Sequence, residues 1–456
     1  MRDTTDRTSP STCDQPSPLM ARALIRSLNR GTAIAEGLKY IHVGHEAWLA
    51  AQDELLAEVA EDTHSDTKFV RGVYGAGKSH FLAMVQASAR TREWATSHIE
   101  CKVDGVQIDR FETLYPRITQ KLLAADIPTV VRDSSDAPVD SMRFVLEKWA
   151  RAQAGLVGIR DDGLTRPFDA DARLYSRLEA GLLRSNLPPD FIRATIAFAR
   201  AFLAADFQTM SRACAWMGGA NERVELPLRY VLRPMSSDRS NGSMALRPIG
   251  KGTARDAMRG LLWLLRAAGY TGLVLCIDEV EELAKLGSRR RQDQALQALR
   301  EYVDHAGGEG GFRNLCMYLA ATPEMFEGEN YFPRYDALAT RIQPLGPRIN
   351  WRGPVIDLDR TPLDAAQMRE LAGRICKIHH IAYGRSDNTD LSQELVSNLV
   401  VGVLEARYRV ARPRLLARVF VDALERARQE RQAPRPSDIG DIVARAAGQI
   451  AKEAAG

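Results

Sequence analysis

The spacing of apolar positions changes along this chain, and each change marks an element. Pro18 to Arg30 reads as a helix with proline in its first turn and Gly31 just past its end. A second amphipathic helix carries Ala47, Leu49, Leu55, Leu56 and Val59. The β-branched and apolar run Thr67 to Arg71 predicts a short strand, and Phe81, Leu82, Val85 and Ala89 then recur at helical spacing between Ser79 and Arg92. His98 to Asp104 alternates as a strand, and Phe111 to Leu123 returns to a helical period. Strand, helix, strand, helix predicts a parallel sheet.

From 130 to 251 the pattern becomes a string of helical patches: Met142 to Ala152, Ala172 to Leu183, Pro189 to Ala204 and Phe207 to Met217. This reads as a helical insertion, whose Ser/Gly-rich tail from Met235 to Gly252 predicts a mobile loop. The α/β pattern then resumes. Thr253 to Ala268 is a helix, and Gly272 to Val280 is an apolar strand ending in two carboxylates. Gln292 to Val303 leads through Gly307 to Gly311 into the strand Asn314 to Pro323. Tyr335 to Ile342 is a short helix, and Val355 to Leu358 is the last strand. Four helices follow, at Pro362 to His380, Leu391 to Leu404, Pro413 to Arg428 and Ser437 to Lys452. The expected division is a disordered tail (1–18), two parts of one α/β core (19–129 and 252–360), the insertion (130–251) and a C-terminal all-helical lid domain (361–456).

Composition narrows the class. The chain has 456 residues, 45% hydrophobic and 26% charged, as in an ordinary globular protein of two or three domains. No apolar run approaches the ~18 residues that a membrane span needs. The first eighteen residues lack a signal-peptide apolar core, and six scattered cysteines without a C-x-x-C pair read as reduced thiols, so the expected location is the cytoplasm. The adjacent His379 and His380 read as a surface pair. Net charge is only +4, yet Arg407, Arg409, Arg412, Arg414 and Arg418 fall in one short segment without an acid. That segment reads either as a DNA contact or as nucleotide sensing plus a solvated helix face.

The chemistry begins at Gly72-Val73-Tyr74-Gly75-Ala76-Gly77-Lys78-Ser79-His80. This fits G-x-x-x-x-G-K-[ST], in which backbone N–H groups wrap a triphosphate, the lysine reaches the outer phosphates and the hydroxyl holds magnesium. The motif needs a strand before it and a helix after it, and the pattern supplies both. Thus ATP and Mg2+ are the expected ligands. Asp278 and Glu279 arrive at the carboxyl edge of the sheet, where open α/β folds bind ligands. There Asp278 is placed to hold magnesium through water, and Glu279 to polarise the attacking water. Thr322, at the next strand end, is either a hydrogen-bond donor to the γ-phosphate or attacking water, or a plain Thr-Pro turn. Arg341 is the first choice for a residue reaching a neighbouring subunit's nucleotide, with Arg334 and Arg348 competing. Ile41, Val43 and Gly44 either line an adenine pocket or form an ordinary turn between helices.

Taken together, these motifs resemble the AAA+ P-loop ATPases, nearest to their origin-recognition and signalling branch. More narrowly, Gly31-Thr32 followed by Gly37-Leu38, Tyr40 to Gly44, Phe69 to Ser79 and Ile277 to Glu281 resemble the BrxD-like ATP-binding proteins of BREX phage-defence systems. The resemblance implies an ATPase that assists a DNA helicase or binds DNA during defence, with Arg414 as the lid arginine that senses the γ-phosphate and Arg341 as the finger of an ATP-dependent homo-oligomer. Two other outputs stay open: a nucleotide-gated scaffold with little hydrolysis, and an ATP-dependent DNA-binding regulator. One departure from the AAA+ pattern is that Lys78 and Asp278 stand 278 − 78 = 200 residues apart, several times the usual separation.

Overall fold

The computed structural model describes residues 15–30, 37–127, 137–158, 169–183, 185–234, 242–304, 311–343, 346, 348–384, 391–406 and 411–455. Most of the expected tail, Gly31, residues 235–241 of the loop from Met235, the glycines 307, 308 and 310, and Arg407 and Arg409 lie outside them. Among the described residues there are seven strands: β1 (Ser65–Arg71), β2 (Ala95–Glu100), β3 (Glu225–Pro227), β4 (Ser243–Ala245), β5 (Leu273–Asp278), β6 (Leu315–Ala321) and β7 (Val355–Asp357). Five of them form the main sheet, in the order β2-β5-β6-β1-β7. The pairs β2–β5, β5–β6 and β6–β1 are all parallel. This is the predicted α/β class.

Each residue of β5 and β6 is buried, because helices cover both faces of a parallel sheet, and this is why both strands read as unbroken apolar runs. Gly272 admits the start of β5 between the segments that lead into β2 and β6. A Cβ there would lie 2.2 Å from the Asn314 carbonyl oxygen and 2.6 Å from the Trp94 ring. The strand expected at His98–Asp104 instead occupies Ala95–Glu100, and Cys101–Asp104 is one helical turn. Gly105 closes that turn at φ 63°, and the Asp104 carboxylate accepts the Glu100 N–H at 2.8 Å, so the alternation ends at Glu100.

The chain forms two compact units. The larger, Ala47–Arg71 with Val85–Ile356, holds the sheet and the helices of the 130–251 region. Those helices (Ala137–Leu156, Ala170–Leu182, Pro189–Leu203 and Phe207–Met217) share one apolar core with the strands, through Trp149, Leu174, Phe191 and Met217. Burying each large side chain contributes about 1.5–3 kcal/mol. The antiparallel β3–β4 pair was not expected, since strands of three residues are too short to display a period.

The smaller unit comprises Met1–Glu46, Gly72–Met84 and Asp357–Gly456. Helices Pro18–Arg30, Ala365–Tyr383, Gln393–Glu405, Arg412–Glu430 and Ile439–Ala455 close around Leu24, Ile375, Leu399, Phe420 and Ile442. The helix expected from Pro362 starts at Ala365, because Asp364 accepts the Gln367 N–H at 2.8 Å and the Gln367 side chain accepts the Asp364 N–H at 3.1 Å. His379 is not a surface residue. Helical spacing places it on the same face as Met368, Ile375 and Ala382, so it is buried, with Nε2 3.2 Å from Glu425.

Candidate functional site

The phosphate loop leaves β1 after Arg71 and enters the helix that begins at Lys78. Gly75 and Gly77 have φ of 83° and 99°, conformations that a side chain disfavours, so the backbone turns with its N–H groups free of Cβ atoms. Lys78 is buried, and its ammonium donates to the carbonyls of Gly72 at 2.9 Å and Val73 at 3.4 Å. The Val73 N–H is held by both carboxylate oxygens of Asp359, at 3.1 and 3.0 Å. At the exposed tip, the guanidinium of Arg414 lies over the Tyr74 ring, 4.7 Å from its centroid. It also packs on the loop backbone. A Cβ on Gly75 would stand 3.0 Å from the Arg414 Cδ.

His80, the last residue of the motif, stacks on His42, with Nε2 2.9 Å from the His42 Nδ1. The His42 Nε2 is buried and has no hydrogen-bond partner. Burial, then the neighbouring His42 and His45, push the His80 pKa down to about 3. Burial, then His42, lower that of His45 to about 4. Ile41 and Val43, expected beside the base, are buried in the apolar core of the smaller unit. Gly44 has φ 82°, and a Cβ there would meet Leu363 at 2.3 Å.

The acidic strand end lies in the larger unit. Asp278 closes β5 almost fully buried, and its Oδ1 accepts the Glu279 N–H at 2.9 Å. Glu279 itself adopts φ 57° and ψ 43°, a left-handed conformation unusual for a non-glycine residue, which turns the chain sharply off the strand. Its Oε2 is buried without a partner. Burial first, and then Asp278, Glu100 and Glu282, raise the Glu279 pKa above the ordinary carboxylate value. On β2, the His98 Nδ1 is 3.0 Å from the Gln86 amide nitrogen, while its Nε2 is 4.0 Å from Asp278 Oδ2.

Strand β6 separates β5 from β1, so Thr322 follows the strand between the two motifs. Thr322 starts the helix Pro323–Glu327 with its backbone, and its hydroxyl makes no capping bond. Arg341 is tied to Asp304 of its own chain through two nitrogens. Arg334 pairs with Asp293 at 2.7 Å, whereas Arg348 is exposed. Of the arginine-rich segment, Arg414 is on Tyr74 and Arg418 binds the Gln449 carbonyl at 3.1 and 3.2 Å.

Asp359, His98 and Gln86 belong to none of the motifs, and His42 falls inside the Tyr40 to Gly44 stretch without a role of its own. Asp359 had a local signal, an acid just past a strand end, whereas the contacts of the other three are assembled by tertiary packing.

The loop fits a triphosphate: positive-φ glycines, a buried lysine and the start of a helix come together there. At the strand end, the orphaned Glu279 oxygen and the oriented Asp278 carboxylate are donors of the kind that magnesium takes. Sheet order and loop together define a P-loop-like ATP-binding protein of the α/β class. The chain belongs to the BREX system ATP-binding protein BrxC/D family, whose family model matches residues 17–441. No curated protein matches it. Among the described residues no helix is long and apolar enough to cross a membrane.

Proposed function

We propose that this BREX protein hydrolyses ATP, with Glu279 as the base. The observation that carries the reading is the Glu279 carboxylate: one oxygen is buried and unpartnered, and the proton affinity is raised by burial and by Asp278. A base with that profile withdraws a proton from water more readily than an ordinary solvated carboxylate. Lys78 leaves the Gly72 and Val73 carbonyls for the outer phosphates. Thr322 has a free hydroxyl for hydrogen bonding to the γ-phosphate or the water. Ser79 and Asp278 are the residues that would hold magnesium, which when bound would supply charge neutralisation at the phosphates. Arg414 senses the γ-phosphate, and Arg341 acts on a neighbouring subunit's nucleotide once it has left Asp304.

The test is a pair of variants. Lys78→Ala is expected to abolish ATP binding. Glu279→Gln is expected to bind ATP and not turn it over, and normal turnover by that protein would overturn the assignment of the base.

A second reading is a nucleotide-gated scaffold, and the Arg341–Asp304 pair favours it, because the candidate finger is occupied within its own chain. ATP binding with negligible hydrolysis, even with DNA and a helicase partner present, would select it. Direct DNA binding is the finer part of the first reading. Two of the three described arginines of the basic segment are already engaged, so the salt dependence of any DNA affinity should be shallow, at roughly 0.9 log–log slope per phosphate neutralised.

A further inference from the structure

The His98 imidazole has no place in the phosphate-loop motif, yet its geometry is specific. It lies on β2 beside the acid-ended strand β5, with His98 in register with Cys276 and Glu100 with Asp278. The Gln86 amide nitrogen lies 3.0 Å from Nδ1 and donates to it. The ring proton therefore sits on the other nitrogen, Nε2. That N–H is buried, has no hydrogen-bond partner and stands 4.0 Å from Asp278 Oδ2. The other carboxylate oxygen, Oδ1, is already held by the Glu279 N–H at 2.9 Å. Asp104, another acid near His98, is bound to Lys121 at 2.7 Å.

We propose that His98 is a positioning residue for Asp278, with Gln86 selecting its tautomer: the Nε2–H holds Oδ2 while the Glu279 backbone holds Oδ1, so that the carboxylate presents a fixed pair of lone pairs to magnesium. This rests on the assignment of Asp278 as a magnesium ligand. An unsatisfied buried N–H 4.0 Å from a carboxylate oxygen needs only a small rotation of that carboxylate to form a charge-assisted bond. Groups that orient a metal ligand in this way typically control affinity by about 10–100-fold.

The experiment measures binding of a fluorescent ATP analogue to the full-length chain as magnesium is titrated, with an EDTA arm and a thermal melt for each variant. His98→Ala is expected to need about ten times more magnesium for half-maximal binding, with unchanged affinity in EDTA and an unchanged melting temperature. His98→Gln keeps an N–H near the Nε2 position and is expected to restore most of the magnesium response. Gln86→Leu, which frees the tautomer, is expected to give an intermediate shift. If His98→Ala titrates like the unaltered protein while Asp278→Asn is shifted, the positioning role fails and the magnesium assignment stands. If Asp278→Asn is itself unshifted, the magnesium assignment fails and takes the proposal with it. Equal losses in magnesium and in EDTA, with a lowered melting temperature, would reduce His98 to a packing residue and overturn the proposal.

Discussion

The Arg414 guanidinium rests on the Tyr74 ring at 4.7 Å, joining the first turn of the helix Arg412–Glu430 to the tip of the phosphate loop. A charged group is therefore parked on the loop by an aromatic face, where an anion can compete for it. A cation–π contact at a partly exposed site is worth about 0.5–1 kcal/mol. Tyr74→Ala should accordingly change ATP affinity by no more than about fivefold, whereas Arg414→Ala loses the cation itself and should weaken binding more. Titration of both variants with a fluorescent ATP analogue checks the order.

Gly75 belongs to the same contact. Its φ of 83° disfavours a side chain, and an added methyl group would press on Arg414 at 3.0 Å. Gly75→Ala should cost about 1–2 kcal/mol through the left-handed backbone alone, and it should displace Arg414. The expected result is weaker ATP binding together with a measurably lowered melting temperature.

Asp359 braces the front of the loop through two contacts to the Val73 N–H. A hydrogen bond to a charged group contributes about 1.5–3 kcal/mol when well shielded, and less on this exposed surface. Asp359→Ala should loosen the loop and lower ATP affinity several-fold, and Asp359→Asn should recover part of it. Isothermal titration of the two variants distinguishes them.

Acid should destabilise the smaller unit. The folded-state pKa values of His45 and His80 are lowered to about 4 and about 3, against an ordinary value of 6.5. As pH falls through 6.5 the unfolded chain takes up protons that the folded chain resists, so stability present above pH 6.5 is lost progressively towards those lower values. By pH 5 each histidine accounts for about 2 kcal/mol of lost stability. Thermal melts between pH 7.5 and 5 should show the fall, and His45→Asn should flatten it.

In the larger unit, Gly260 lets the helix Ala254–Ala267 approach the ring of Phe191, where a Cβ would stand 2.5 Å away. Gly260→Ala should overpack this contact at a cost of about 1–3 kcal/mol. A lowered melting temperature with an unaltered ATP affinity is the expected outcome, and the double variant Gly260→Ala with Phe191→Leu should regain part of the loss.

The elements that can be read from residue order are those whose signal is local. Gly72 to Ser79 is legible because a phosphate cradle needs glycine, lysine and hydroxyl at fixed spacing along a few residues, and β5 because a strand covered on both faces must be apolar throughout until Asp278. The long helices follow from period alone, with boundaries that moved where a cap such as Asp364 intervened. Tertiary structure decided the rest. His379 went inside because of where its helix packs, Arg341 was claimed by Asp304 thirty-seven residues away, and Arg414 came to rest on Tyr74. Gln86, His98 and Asp278 come together only because Gln86 reaches His98 on β2 and β2 lies beside β5. Such contacts join residues far apart in the chain, and the free energy that selects them is that of packing and of satisfying buried polar groups, which residue order does not display.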